Sequence, residues 1–186
     1  MKTTLRMVGL LLGCFGLPSG VACTPASPAH RALPVTVPFA MDKAGNTTRI
    51  DFSALEGQAN LKRRFMVGLD FPQTQNYSIE NVIQQKDVPV HVEVFFVDHG
   101  KMTPVPTQDD EAIVSAANGA KTKADNSLAN LHLHAHDGET SYVLVAGFYL
   151  SRYGQYVAVV KTVEDLPMFK NIETRLKVDE FYNTGE

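Results

Sequence analysis

The chain has 186 residues, 44% of them hydrophobic and 20% charged, the profile of one folded domain rather than a disordered or fibrous chain. Seventeen Lys and Arg stand against twenty Asp and Glu, so the basic stripe that nucleic-acid binding requires is missing. No apolar run reaches the roughly 18 residues of a membrane-spanning helix.

Residues 1–22 read as a secretory signal. Lys2 and Arg6 supply a positive start, Met7–Leu17 a short apolar core, and Pro18-Ser19-Gly20 a break before Val21-Ala22. The two cysteines are Cys14, inside the apolar core, and Cys23, at the expected cleavage point. Without them the body holds no cysteine, so no disulfide and no thiol nucleophile is expected there. Gly20-Val21-Ala22-Cys23 resembles the bacterial lipobox, which implies lipid on the Cys23 thiol. It departs from that pattern at Gly20, where Leu is usual. Cleavage after Ala22 to give a soluble periplasmic or secreted protein is the alternative. Thr24, in place of the Asp that retains lipoproteins at the inner membrane, implies by the same resemblance a periplasmic protein anchored to the outer membrane.

Residues 23–33, rich in Pro and Ala, read as a flexible tether, and residues 34–186 as a single domain. Loss of residues 1–22 removes Lys2 and Arg6 and leaves fifteen cationic against twenty anionic side chains, a net charge of −5.

The body alternates apolar and polar residues with period two, the strand signature. Leu33–Ala40 is a Pro-bracketed edge strand, because Pro34 and Pro38 cannot donate to a sheet. Strands follow at Asn46–Phe52, Lys62–Phe71 and Val88–Val97. The last of these sets Val90, Val92, Val94 and Phe96 against His91, Glu93 and Phe95, and Asp98-His99-Gly100-Lys101 reads as a hairpin turn. Thr107 is placed to cap a helix over Gln108–Ala117, with Asp109, Asp110 and Glu111 in its first turn and Gly119 ending it. Ala120–Asn130 reads as a loop. Four strands close the chain at Leu131–His136, Ser141–Leu150, Gln155–Val163 and Asn171–Phe181. Leu150–Tyr156 carries the pattern of a tyrosine corner, in which a Tyr hydroxyl bonds back to the chain. The expected fold is mainly β, an immunoglobulin-like antiparallel β-sandwich with one short helix in a connection.

Three segments together resemble a family of short proteobacterial lipoproteins classed as a domain of unknown function. They are the lipobox-like cysteine, Arg64–Phe71 (RFMVGLDF) and Gly154–Pro167 (GQYVAVVKTVEDLP). The resemblance implies a β-sandwich and a periplasmic location, and it carries over no catalytic residue.

One constellation has chemistry in it. In Leu131-His132-Leu133-His134-Ala135-His136-Asp137, a regular strand would line up three imidazoles about 6.6 Å apart. Imidazole suits Zn and Cu, and Asp137, His91 or His99 could add a ligand. The other reading is an amphipathic strand with three solvated histidines, which could titrate near neutral pH. There is no nucleophile elbow, phosphate-cradling loop or His-Glu-x-x-His helix. The sequence therefore points to a non-catalytic protein with no cofactor that binds a protein partner, an immunity protein neutralising a secreted effector being one form. The alternative is a periplasmic Zn or Cu binder using His132, His134 and His136.

Overall fold

The computed structural model describes residues 31–108 and 128–181. In chain order the elements are β1 (Arg31–Ala32), β2 (Val35–Pro38), β3 (Thr47–Ala54), β4 (Arg64–Pro72), α1 (Ser78–Gln85), β5 (Pro89–Asp98) and β6 (Lys101–Val105). They continue with β7 (Thr107–Gln108), β8 (Leu128–Asn130), β9 (His132–His136), β10 (Thr140–Tyr149), β11 (Gly154–Thr162) and β12 (Arg175–Glu180).

These strands make two sheets. The first runs β1-β3-β11-β5, with β6 and β8 sharing the outer edge of β5. The second runs β2-β12-β4-β10, with β7 and β9 sharing the outer edge of β10. Every pairing is antiparallel except that of β1 with β3. Among the described residues the chain crosses directly from an edge of one sheet to an edge of the other at three places: at Leu33-Pro34 between β1 and β2, at Pro106 between β6 and β7, and at Leu131 between β8 and β9.

The alternation in sequence is what builds the core. Phe65, Val67, Leu69 and Phe71 of β4, Val90, Val92 and Val94 of β5, and Leu176 and Val178 of β12 are all buried. Full burial of a side chain of this size contributes about 1.5–3 kcal/mol. Aromatic rings tie the layers together: Phe52 of β3 stacks on Tyr156 at 5.4 Å and meets Phe148 of the other sheet at 6.2 Å. The expected corner is present, for the Tyr156 hydroxyl donates to the Arg152 carbonyl at 2.7 Å. The β5–β6 hairpin turns on His99 (φ 47°) and Gly100 (φ 80°), the positive pair that a two-residue hairpin favours.

The sandwich and its helix-bearing connection agree with the sequence, but several details differ. The helix found among the described residues is α1, between β4 and β5. Its apolar residues Ile79 and Ile83, one turn apart, enter the core. Thr74 organises its start, accepting from the Ile79 N–H at 3.1 Å through its hydroxyl. Thr107 is not a helix cap: Thr107–Gln108 is extended and pairs with Phe148 and Gly147 of β10. The remainder of the expected Gln108–Ala117 helix, with Asp109, Asp110, Glu111 and Gly119, lies outside the described residues. Leu128–Asn130, expected in a loop, is β8, and Arg31–Ala32, expected in the tether, is β1. The final strand starts at Arg175 rather than Asn171, because a short 3-10 turn at Pro167–Phe169 buries Phe169 first. Cys14, Cys23 and the rest of residues 1–30 lie outside the described residues.

Candidate functional site

The histidine strand forms, but not as a straight row. On β9, His132 pairs with Leu144 and His136 with Ser141, while His134 falls at a bulge and has no register partner on β10. Leu144 and Ser141 are three positions apart on one strand and so lie on alternate faces. The bulge therefore turns His136 away from His132, since an inserted residue breaks the period of two. His134 lies 5.3 Å from the Phe181 ring, and His136 lies 5.6 Å from the Tyr77 ring. Among the described residues no group of three His, Cys, Asp or Glu side chains is placed to hold one metal ion.

The proposed extra ligands are engaged elsewhere. Asp137 accepts from the Glu139 N–H (2.9 Å), the Thr140 N–H (2.7 Å) and the Tyr142 hydroxyl (2.6 Å), closing the β9–β10 turn. The Tyr142 hydroxyl first, then these amides, hold its carboxyl down to about 2. The same bond to Asp137 raises the Tyr142 phenol. His91 points outward from β5, between the inward Val90 and Val92. His99 sits in the hairpin turn 2.6 Å from Asp98.

Two other surfaces stand out, and neither was legible as a sequence motif. The first is on the outside of the first sheet. Val157 of β11, Phe95 of β5 and Pro104 of β6 lie in one cross-strand row, and Val97 and Met102 form the next pair. These are outward positions, where an ordinary sandwich strand carries polar residues. Met102 is 40% exposed, whereas Val157 is fully covered by its neighbours. Alternation hides this row, because β6 is short and Val157 reads as part of a continuous apolar run.

The second surface is a cleft of about 540 Å³ on the outside of the second sheet, lined by Thr36, Asp70, Tyr142, Glu173, Arg175 and Lys177 among others. Arg175, Asp70 and Tyr142 are direct cross-strand neighbours on β12, β4 and β10. Both cations of the cleft are already matched: Arg175 with Glu173 at 2.6 Å and Lys177 with Asp179 at 2.7 Å. Burial raises the Asp70 carboxyl, against the pull of Lys177 and together with the repulsion of Asp179.

Comparison with known proteins fits this geometry. Residues 36–180 match the model of a domain of unknown function, DUF5625. The chain belongs to that family. The matched segment runs from β2 to the end of β12 and so takes in both sheets, the cleft and the apolar row. A crystal structure of a protein from Sulfurospirillum deleyianum has the same fold, with a TM-score of 0.52, 8% sequence identity, and coverage of 83% of this chain and 99% of that one. At that identity the likeness concerns the fold alone. No curated protein is significantly similar to the chain.

Proposed function

We propose that this member of the family is a non-catalytic periplasmic lipoprotein, anchored to the outer membrane through Cys23, whose sandwich binds a basic protein partner. The observation that carries the reading is the outward apolar patch of Phe95, Val97, Met102 and Pro104, which is open to solvent over the covered Val157. Contiguous apolar surface on a folded domain marks an interaction site. The net charge of −5 after loss of residues 1–22 selects a basic partner, since complementary charge steers encounter. A secreted toxic effector is such a partner, and an immunity protein is the form of binder that it calls for. Cleavage after Ala22 would give the same domain free of the membrane.

The test has two parts. The peptide beginning at Cys23, isolated from cells, should carry diacylglycerol by mass spectrometry, and an unmodified peptide beginning at Cys23 would remove the anchor. Deleting the gene should sensitise cells to a secreted effector encoded beside it. The purified domain should form a stoichiometric complex with that effector, and Met102→Glu should weaken the complex at least tenfold. Indifference to every neighbouring effector would reject the immunity role.

A further inference from the structure

The cleft on the second sheet holds a carboxylate that none of its walls bonds directly. It is lined by Asp70, Glu173, Arg175 and Lys177 together with the Tyr142 ring and Pro72. Glu173 is taken by Arg175, whose Nε and Nη2 both donate to it (3.0 and 2.6 Å). Lys177 is taken by Asp179, beside the cleft. Asp70 lies between these pairs, half-buried, and among the described residues it has neither an ion-pair nor a hydrogen-bond partner. Burial raises its carboxyl more than the charge of Lys177 lowers it, and a partly desolvated carboxylate is stabilised by a cation or donor that joins it.

We propose that this cleft binds a small organic ammonium ion, a primary amine with a short aliphatic body, with Asp70 as its counter-ion. The volume suits a small molecule rather than a bare ion. The Tyr142 ring, fixed through its hydroxyl by Asp137, offers a face to a cation, and Pro72 offers an apolar wall. A divalent metal is the poorer fit, because hard cations take six or more oxygen ligands and the other carboxylate of the cleft, Glu173, is committed to Arg175. The site lies on the sheet opposite the apolar row, so it stands or falls separately from protein-partner binding.

The experiment is titration of the domain, residues 23–186 with Cys23→Ser, with 1,4-diaminobutane, followed by amide chemical shifts and calorimetry. Saturable binding is expected, with shifts centred on Asp70, Tyr142 and Lys177. Asp70→Asn should weaken it at least tenfold while the spectrum stays dispersed. Thr36→Lys, at an exposed position on β2, should weaken it likewise by placing a resident ammonium in the cleft. Glu93→Gln, on the other sheet, should leave it unchanged. Linear, non-saturating shifts, or equal affinity in the wild type and Asp70→Asn, would mean loose ion association and would overturn the proposal.

Discussion

The Glu80 carboxylate on α1 accepts a 2.6 Å hydrogen bond from the Ser141 hydroxyl on β10, across 61 residues of sequence. It also accepts from the Thr74 N–H at 2.9 Å and from the Thr74 hydroxyl. Glu80 and Ser141 are both buried, so this is the polar bolt that fastens the helix to the second sheet.

Burial works against the Glu80 charge, but the Ser141 and Thr74 donors outweigh it and lower the carboxyl pKa. A carboxylate whose pKa is lower folded than unfolded adds stability above its unfolded value near 4.3, and loses it as pH falls through the folded value. Glu80→Ala should therefore cost about 1–3 kcal/mol at pH 7, because it leaves buried donors unsatisfied. Denaturant titrations at pH 7 and pH 3 check this: the difference from wild type should shrink at the lower pH.

Gly154 opens β11 at φ 144°, and an added Cβ would lie 2.8 Å from Cε2 of Phe96. Phe96 cannot easily yield. Its ring is also packed against Tyr156, with centroids 5.1 Å apart, and lies under the Arg152 guanidinium at 4.1 Å. Gly154→Ala should destabilise by about 1–3 kcal/mol, from overpacking and from strain at positive φ. Thermal melting of the variant checks it, and a melt equal to wild type would show that the corner can move.

Asp70 should behave in the opposite sense to Glu80. Its pKa is raised by burial, so folding disfavours its charge and its contribution to stability falls as pH rises through the unfolded value near 3.9. Asp70→Asn should melt no lower than wild type at pH 7, with a flatter dependence on pH between 3 and 7. A clear loss of stability at pH 7 would mean that the carboxylate serves the fold.

The bulge at His134 predicts the outcome of a metal titration. Replacing His132, His134 and His136 together with Gln should leave affinity for Zn and Cu unchanged. Calorimetry on wild type and variant decides the matter, and a stoichiometric site lost in the variant would show that the strand rearranges around metal.

The long strands were legible because alternation and burial agree on them. β5 and β12 show it best, with inward Val90, Val92, Val94, Leu176 and Val178. The β5–β6 turn and the Tyr156 corner were legible because each uses local chemistry, a Gly with positive φ and a Tyr within four residues of its acceptor. Helix α1 was not legible because it lacks a local signal. Its N-cap residue Tyr77 is left-handed and makes no side-chain cap, and its anchor is the distant Ser141. The Thr107 region has a good cap residue and an acidic run, but β10 offers Thr107 a paired edge, and tertiary pairing overrides propensity. The bulge at His134 and the cleft around Asp70 arise from register between strands, which no single segment of sequence encodes.

The three edge crossings have a further consequence. A β-sandwich ordinarily ends in open strand edges, where unpaired N–H and C=O groups invite other chains to add on. Here the strand at an edge of one sheet continues directly into an edge of the other, at Leu33-Pro34, Pro106 and Leu131. The edge pieces are short, and Pro34, Pro38, Pro104 and Pro106 withhold donors along them. A domain finished in this way resists edge-to-edge aggregation without a disulfide.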